Sequence, residues 1–246
     1  MKNSGICYLV GGGPGDLGLV TLRAKECIEN ADVLVYDALS NPELLGWTKP
    51  GCLKIHVGKR AKDHTMPQDQ INALIVEQTK AGKSVVRLKG GDPMIFARGG
   101  EEAAELAAAG VPFEIVPGIS SSIAGPAYAG IPVTHRRAGS SVTFVTGHEE
   151  IDKGRPGVNW RGLAQTSDGL VIYMGLHNLR RIAEELMAGG LAPDTPAAVI
   201  QQGTVRGQRQ LISVLAELAD RAEEQGFASP SIVVLGEKRR LSRVPS

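Results

Sequence analysis

Short apolar runs alternate with amphipathic stretches through the first half of the chain. Residues 6–10 read as a strand, and Thr21 then caps a helix whose apolar positions are Leu22, Ala24, Cys27, Ile28 and Ala31. Strands follow at 32–36 and 53–57. Pro67 opens a helix with Ile71, Leu74 and Ile75 at helical spacing, which stops near Gly82. A fourth strand at 84–88, an Ala-rich helix at 101–109 and a fifth strand at 113–116 complete the series. This alternation is the rhythm of a parallel sheet flanked by helices.

The second half has a different rhythm. Strand-like runs fall at 141–146, 170–174, 197–201, 208–213 and 231–235, with helices at 179–187 and 214–225. The stretch 206–211 follows Gly203 and Gly207 closely, which predicts a hairpin and therefore a mixed sheet. The polar segment 149–158 contains Gly and Pro and reads as a loop. The expected fold class is α/β, with two α/β domains, 1–117 and 118–246, meeting near 117–122. No internal repeat or low-complexity tract interrupts either half.

Composition narrows the function classes. A length of 246 residues suits one large domain or two modest ones, and 42% hydrophobic with 22% charged residues gives no reason to expect disorder. The 27 basic and 26 acidic residues leave a net charge of +1, too small an excess for a general nucleic-acid binder. Cys7, Cys27 and Cys52 are odd in number and widely spaced, which fits reduced thiols in the cytoplasm better than a disulfide framework or a zinc site. No secretory pattern opens the chain and no run of about 18 apolar residues occurs, so neither export nor membrane spanning is expected.

Two glycine-rich turns carry the candidate chemistry. Gly11-Gly12-Gly13-Pro14-Gly15-Asp16-Leu17-Gly18 follows the first strand and satisfies a G-x-G-x-x-G dinucleotide fingerprint, with Asp37 near the spacing of a ribose-binding acid. Pro14 removes an N–H from that turn, however, and Asp16 puts a carboxylate where a pyrophosphate would sit. A plain tight turn between strand and helix also accounts for it. Lys89-Gly90-Gly91-Asp92-Pro93 ends the fourth strand, where glycines let a ligand approach the backbone and where ligands of open α/β sheets bind. Each loop carries an acid and neither forms a phosphate cradle. A cationic, phosphate-free ligand such as S-adenosylmethionine suits them better than a nucleotide.

Several ordered motifs resemble those of one family, the tetrapyrrole methylases. Residues 9–16 with 19–24 and 31–37 resemble its first signature, 86–93 its second and 114–120 its third. Gly58-Lys59-Arg60, the stretch 130–136 and Val145-Thr146-Gly147-His148 resemble the branch that methylates uroporphyrinogen III at carbon, and 173–175 and 202–204 extend the likeness into the second half. The resemblance implies two α/β domains with S-adenosylmethionine in the cleft between them, S-adenosylhomocysteine as product, and a homodimer. It assigns cofactor contacts to Pro14, Gly90, Gly91, Asp92, Ile95, Ser120, Ser121, Met174 and Gly203, and a catalytic pair to Asp37 and Lys59. Ser120-Ser121 stand where relatives commonly have Thr-Ala, which keeps a hydroxyl at the first position and alters the pocket wall. Met94 and Ala97 also depart from the usual residues. The chain ends soon after the methylase pattern, so the dehydrogenase and chelatase activities of some relatives are not expected.

The implied reaction needs no metal. A sulfonium methyl is already electrophilic, so transfer chiefly requires placement against an electron-rich pyrrole carbon, followed by proton loss. The resemblance implies two such transfers, at ring carbons 2 and 7, giving precorrin-2. Taken alone, Asp37 fits a turn aspartate, Lys59 a solvated loop lysine, and Met174 a core residue of an apolar strand. Eight substrate carboxylates would call for cations, and Lys59, Arg60, Lys62, Arg98, His135, Arg136 and Arg137 are candidates, although such clusters also occur as plain exposed loops. His64 and His148 lack a partner at metal-ligand spacing. Alternatives are a methylase acting on a later precorrin, a ribosomal RNA methylase of the same superfamily, and a non-catalytic cofactor-binding module.

Overall fold

The computed structural model describes residues 5–58, 66–136, 139–148 and 157–236. Its contacts divide the chain into two compact units, the first ending at Ser120 and the second starting at Ser121. The loop read at 149–158 lies, except for its last two residues, outside the described residues.

The first unit holds strands β1 (Ile6–Gly11), β2 (Val33–Tyr36), β3 (Leu53–His56), β4 (Ser84–Lys89) and β5 (Phe113–Val116). They form one sheet of order β3-β2-β4-β1-β5, and every pairing is parallel. Helices α1 (Leu22–Asn30), α2 (Gln68–Lys80) and α3 (Gly99–Ala108) make the crossovers. Successive side chains of a strand point to opposite faces, so the unbroken apolar runs of these strands bury both. On one face Leu9, Val35 and Val85 pack with Ile75 of α2 and Leu106 of α3. On the other, Val10, Leu34 and Leu88 pack with Ala24 and Ile28 of α1. Thr21 caps α1 by accepting the Ala24 amide at 3.1 Å, but Leu22 is 87% exposed and takes no part in the core. The first helical position faces water here.

The second unit opens with α4 (Ser121–Tyr128) and continues with β6 (Thr143–Thr146), α5 (Trp160–Thr166), β7 (Gly169–Tyr173), α6 (Leu179–Ala188), β8 (Pro196–Gln201), β9 (Arg209–Val214), α7 (Leu215–Glu224) and β10 (Ser231–Gly236). The sheet order is β6-β7-β10-β8-β9, with β6 and β7 parallel and the other pairs antiparallel. The β8–β9 hairpin makes it mixed. Leu186 and Ile182 of α6, Leu218 of α7 and Trp160 of α5 bury against Ile172, Val199 and Val233. Because β10 is antiparallel to both β7 and β8, those two strands run the same way, as does β6. Their carboxyl ends therefore share one edge. Among the described residues no helix is long and apolar enough to cross a membrane.

Candidate functional site

At the carboxyl edge of the first sheet, loops from β1, β4 and β5 touch backbone to backbone. Gly13 and Gly91 form an antiparallel bridge, with Gly13 N donating to Gly91 O at 3.2 Å and Gly91 N to Gly13 O at 2.6 Å. The Gly12 amide donates to Lys89 O at 2.8 Å. A Cβ on Gly118 would stand 2.2 Å from Gly91 O and 2.8 Å from the Gly11 carbonyl carbon, so no side chain fits there. Gly90 meets a different neighbour. Its Cβ would come within 2.9 Å of both Cβ and O of Leu39. Glycine at these positions is what lets the loops close on one another.

The two acids of the loops are taken up by amides. Asp16 Oδ1 accepts the Gly18 amide at 2.7 Å and caps a short 3-10 turn, Leu17–Leu19. The N–H groups that would cradle a pyrophosphate are thus reduced by Pro14 and by this cap. Asp92 Oδ1 accepts Met94 N at 2.8 Å, while Oδ2 accepts Gly118 N at 3.0 Å. Asp92 therefore clasps the β4 loop to the β5 loop. Pro14 and Ile95 are half-buried along this edge, and Ser120, two residues past Gly118, is buried. Asn41 joins the β1 loop to the segment after β2, donating to Gly15 O at 2.7 Å.

Asp37 sits at the end of β2 on the same edge. Oδ1 accepts Leu39 N at 3.2 Å and the Ser40 hydroxyl at 3.4 Å, and Oδ2 lies 3.5 Å from Nη2 of Arg87. Arg87 is itself buried, with Nε donating to Glu102 Oε1 at 3.0 Å. Nζ of Lys89 and Nε2 of Gln68 reach the same oxygen, each at 3.0 Å. Burial, then the neighbouring Arg87, holds the Lys89 ammonium below the usual lysine range, and Glu102 opposes this only in part. Cys7, on the same face of the sheet, has its thiol pushed up to about 12, chiefly by burial and then by Glu102. Lys59, Arg60, Lys62 and His64 lie outside the described residues, as does Arg137. The last described residue before Lys59 is Gly58, whose Cβ would come 3.2 Å from Asp37 Cα.

The second unit builds its own edge. Gly147 N donates to Tyr173 O at 2.7 Å, and Asn178 Nδ2 donates to Gly147 O at 2.7 Å, which binds the β6 and β7 loops together. Met174 follows β7 rather than lying within the strand's buried run. It is 50% exposed with φ of 53°, so the core reading of this residue is corrected. Gln202 (φ 50°) and Thr204 (φ 71°) flank Gly203 after β8, and a Cβ on Gly203 would stand 3.0 Å from Gly125 Cα in α4. Ser121 is half-buried at the start of that helix. The remaining left-handed non-glycine residues among those described, Phe96 and Arg98, follow β4. All five such residues thus lie beyond carboxyl ends of strands. Strained backbone of this kind persists where surrounding structure enforces it, commonly at ligand sites.

A family profile for Tetrapyrrole (Corrin/Porphyrin) Methylases matches residues 7–219. The chain belongs to this family. An S-adenosyl-L-methionine-dependent uroporphyrinogen III methyltransferase of Methanosarcina barkeri is 52% identical to this methylase over 96% of the present chain and 92% of its own length. A siroheme synthase of Pseudomonas fluorescens is 49% identical over 96% of the chain, which spans 51% of that relative's length. Among solved structures, the uroporphyrin-III C-methyl transferase from Thermus thermophilus complexed with S-adenyl homocysteine superposes with a TM-score of 0.80. It is 37% identical, over 95% of this chain and 98% of its own.

Within the first unit of this methylase, Pro14, Asp37, Gly90, Gly91, Asp92 and Ser120 lie in loops of one edge. Within the second, Met174 and Gly203 follow β7 and β8, whose ends share an edge. Sequence reasoning passed over Arg87, Lys89 and Glu102 as site residues. The available signal was two cations at alternate positions of an apolar strand (Val85-Val86-Arg87-Leu88-Lys89), where isolated charges are not buried without partners.

Proposed function

We infer that the chain transfers methyl groups from S-adenosylmethionine to carbon atoms of uroporphyrinogen III, two per turnover sequence, to give precorrin-2. The observation that carries this reading is the near full-length match to a methyltransferase of that substrate. The edge of the first sheet supports it, because backbone-lined loops with amide-bound acids suit a cationic, phosphate-free ligand. Pro14, Gly90, Gly91, Asp92, Ile95 and Ser120 in one unit, with Ser121, Met174 and Gly203 in the other, are the residues that would hold the cofactor. When bound, it supplies an electrophilic methyl on a sulfonium. The new C–C bond takes an electron pair from the pyrrole, and the broken S–C bond leaves its pair on sulfur. The macrocycle gains positive charge and then sheds a proton. Asp37 is assigned to receive it, a reading supported by its being tethered at both oxygens yet partly open to solvent. Lys59 is assigned the companion role of proton donor or cation.

The same resemblance supports a homodimer in the cytoplasm feeding sirohaem or cobalamin synthesis. The deciding assay is anaerobic, with purified protein, S-adenosylmethionine and enzymatically generated uroporphyrinogen III, read by mass spectrometry after oxidation. Gain of two methyl groups is expected. No gain with cofactor binding intact would remove this substrate and turn attention to later precorrins, then to RNA.

A further inference from the structure

We propose that Arg87, braced by Glu102, is a positioning residue that fixes the Asp37 carboxylate for the proton step. This rests on the proposed role of Asp37. Strand β4 is unusual in its charges. Its central position in the sheet, between β2 and β1, buries it on both faces, yet it carries Arg87 and Lys89, each 3% exposed. Replacing buried ion pairs with apolar residues is often neutral for stability, so packing alone gives no reason for charges here.

The geometry gives one. A guanidinium is planar with donors in fixed directions, and three of those directions are occupied. Nε donates to Glu102 Oε1 at 3.0 Å and Nη1 to Leu88 O at 3.2 Å, which sets the plane, and Nη2 then points to Asp37 Oδ2 at 3.5 Å. Glu102, fully buried on α3, is held in turn by Lys89 and Gln68. The charges also balance, two cations against two carboxylates. Of these four groups only Asp37 reaches solvent, with a side chain 25% exposed against 4% or less for the others. A rigid buried fork therefore ends on the one carboxylate that a ligand can touch. Oε2 of Glu102 has no hydrogen-bond partner among the described residues. Lys89 of β4 and Gln68 of α2 thus converge on Oε1, the oxygen that holds the arginine.

The test measures kcat and S-adenosylhomocysteine affinity for Asp37→Asn, Arg87→Gln, Arg87→Lys and the double variant Asp37→Asn/Arg87→Gln. Arg87→Gln is expected to lower kcat about 100-fold, the scale of an ångström-sized misplacement, with cofactor affinity within about 2-fold of wild type. Arg87→Lys should fail similarly, because an ammonium lacks the fork, whereas a merely charge-balancing role would be rescued by it. In the double variant the arginine change should cost nothing beyond Asp37→Asn. Multiplying losses, rescue by lysine, or wild-type kcat in Arg87→Gln would each overturn the proposal while leaving the role of Asp37 intact. Full turnover in Asp37→Asn would overturn that role itself. Should Arg87→Gln fold poorly, Arg87→Gln/Glu102→Gln removes one charge of each sign, keeps the site neutral and carries the same expectations.

Discussion

Gly11 ends β1 while Gly90 and Gly118 follow β4 and β5, up to about a hundred residues apart in sequence, and none has room for a methyl group. The clash at Gly118 is with backbone atoms, 2.2 Å from Gly91 O, which cannot swing aside as a side-chain tip would. Gly118→Ala should therefore destabilise the first unit by about 1–3 kcal/mol, the range for overpacking. Gly46→Ala, with nothing within 4 Å of its Cβ, is the control and should stay within about 0.5 kcal/mol. Urea midpoints of the two variants check this. Asp92→Asn makes a different demand. Its amide nitrogen would face one of two N–H donors now accepted at 2.8 and 3.0 Å, leaving a donor unpaired at about 1–3 kcal/mol. Weaker S-adenosylhomocysteine binding by calorimetry is the expected result, and unchanged affinity would limit Asp92 to a scaffold role. At this scale the glycines were legible because each ends an apolar run. Arg87 and Glu102 were not, since their pairing joins a strand to a helix 15 positions on, across the Gly90–Pro93 loop. The residues alone read Met174 as core, and only the resemblance moves it to the cofactor site, because an apolar residue after an apolar run carries no mark of a left-handed turn.

Elements that bury apolar faces were the ones their sequences announced. The β1–β5 series and α6 carry strong patterns, and Leu186→Ala in α6, which empties a fully buried position, should cost about 2–5 kcal/mol by chemical denaturation. Helix α4 was hidden by its own composition. Ser121, Ser122, Gly125 and Pro126 are poor helix formers, and the helix is set by packing against β7 and β10 instead. The entry to β6 was also unmarked. There Asp168 Oδ2 accepts the amides of Ser140 and Ser141 at 2.8 and 2.9 Å and the Ser141 hydroxyl at 2.9 Å. These bonds, the Ser141 hydroxyl first, hold its carboxyl below the usual aspartate range. In the first unit Lys49 does the same to Asp32, joined by the Ser84 amide. A carboxylate with a depressed folded pKa adds stability that is complete above its unfolded value, about 3.9, and is lost as pH falls through the folded one. Unfolding midpoints should accordingly drop as pH is lowered below about 4, and Asp168→Asn should flatten that dependence. A slope unchanged by the substitution would show that the clasp is not coupled to folding.

Two separate cores imply that the whole molecule need not unfold in one step. The first unit packs on both faces of a parallel sheet, the second around a mixed sheet, and each closes on its own residues. Calorimetry of the protein alone is therefore expected to resolve two transitions, and a single one would show that the units unfold together. A ligand that binds only the native form raises the unfolding free energy of whatever it contacts, by about 2.7 kcal/mol at 100 times its dissociation constant. For a cooperative unit of this size, at roughly 4 °C per kcal/mol, that is about 10 °C. The cofactor assignment includes Pro14, Gly90 and Gly91 in one unit and Met174 and Gly203 in the other, so S-adenosylhomocysteine should raise both transitions. If only the transition of the first unit moves, Met174 and Gly203 are not contacts, and the strained backbone at Met174, Gln202 and Thr204 needs another explanation. If both move, Gly203→Val should remove the shift of the second transition, because a bulkier side chain there meets the backbone of α4 at Gly125. Asp37→Asn should leave both shifts in place while lowering kcat for methyl transfer by about 100-fold or more, which separates holding the cofactor from using it.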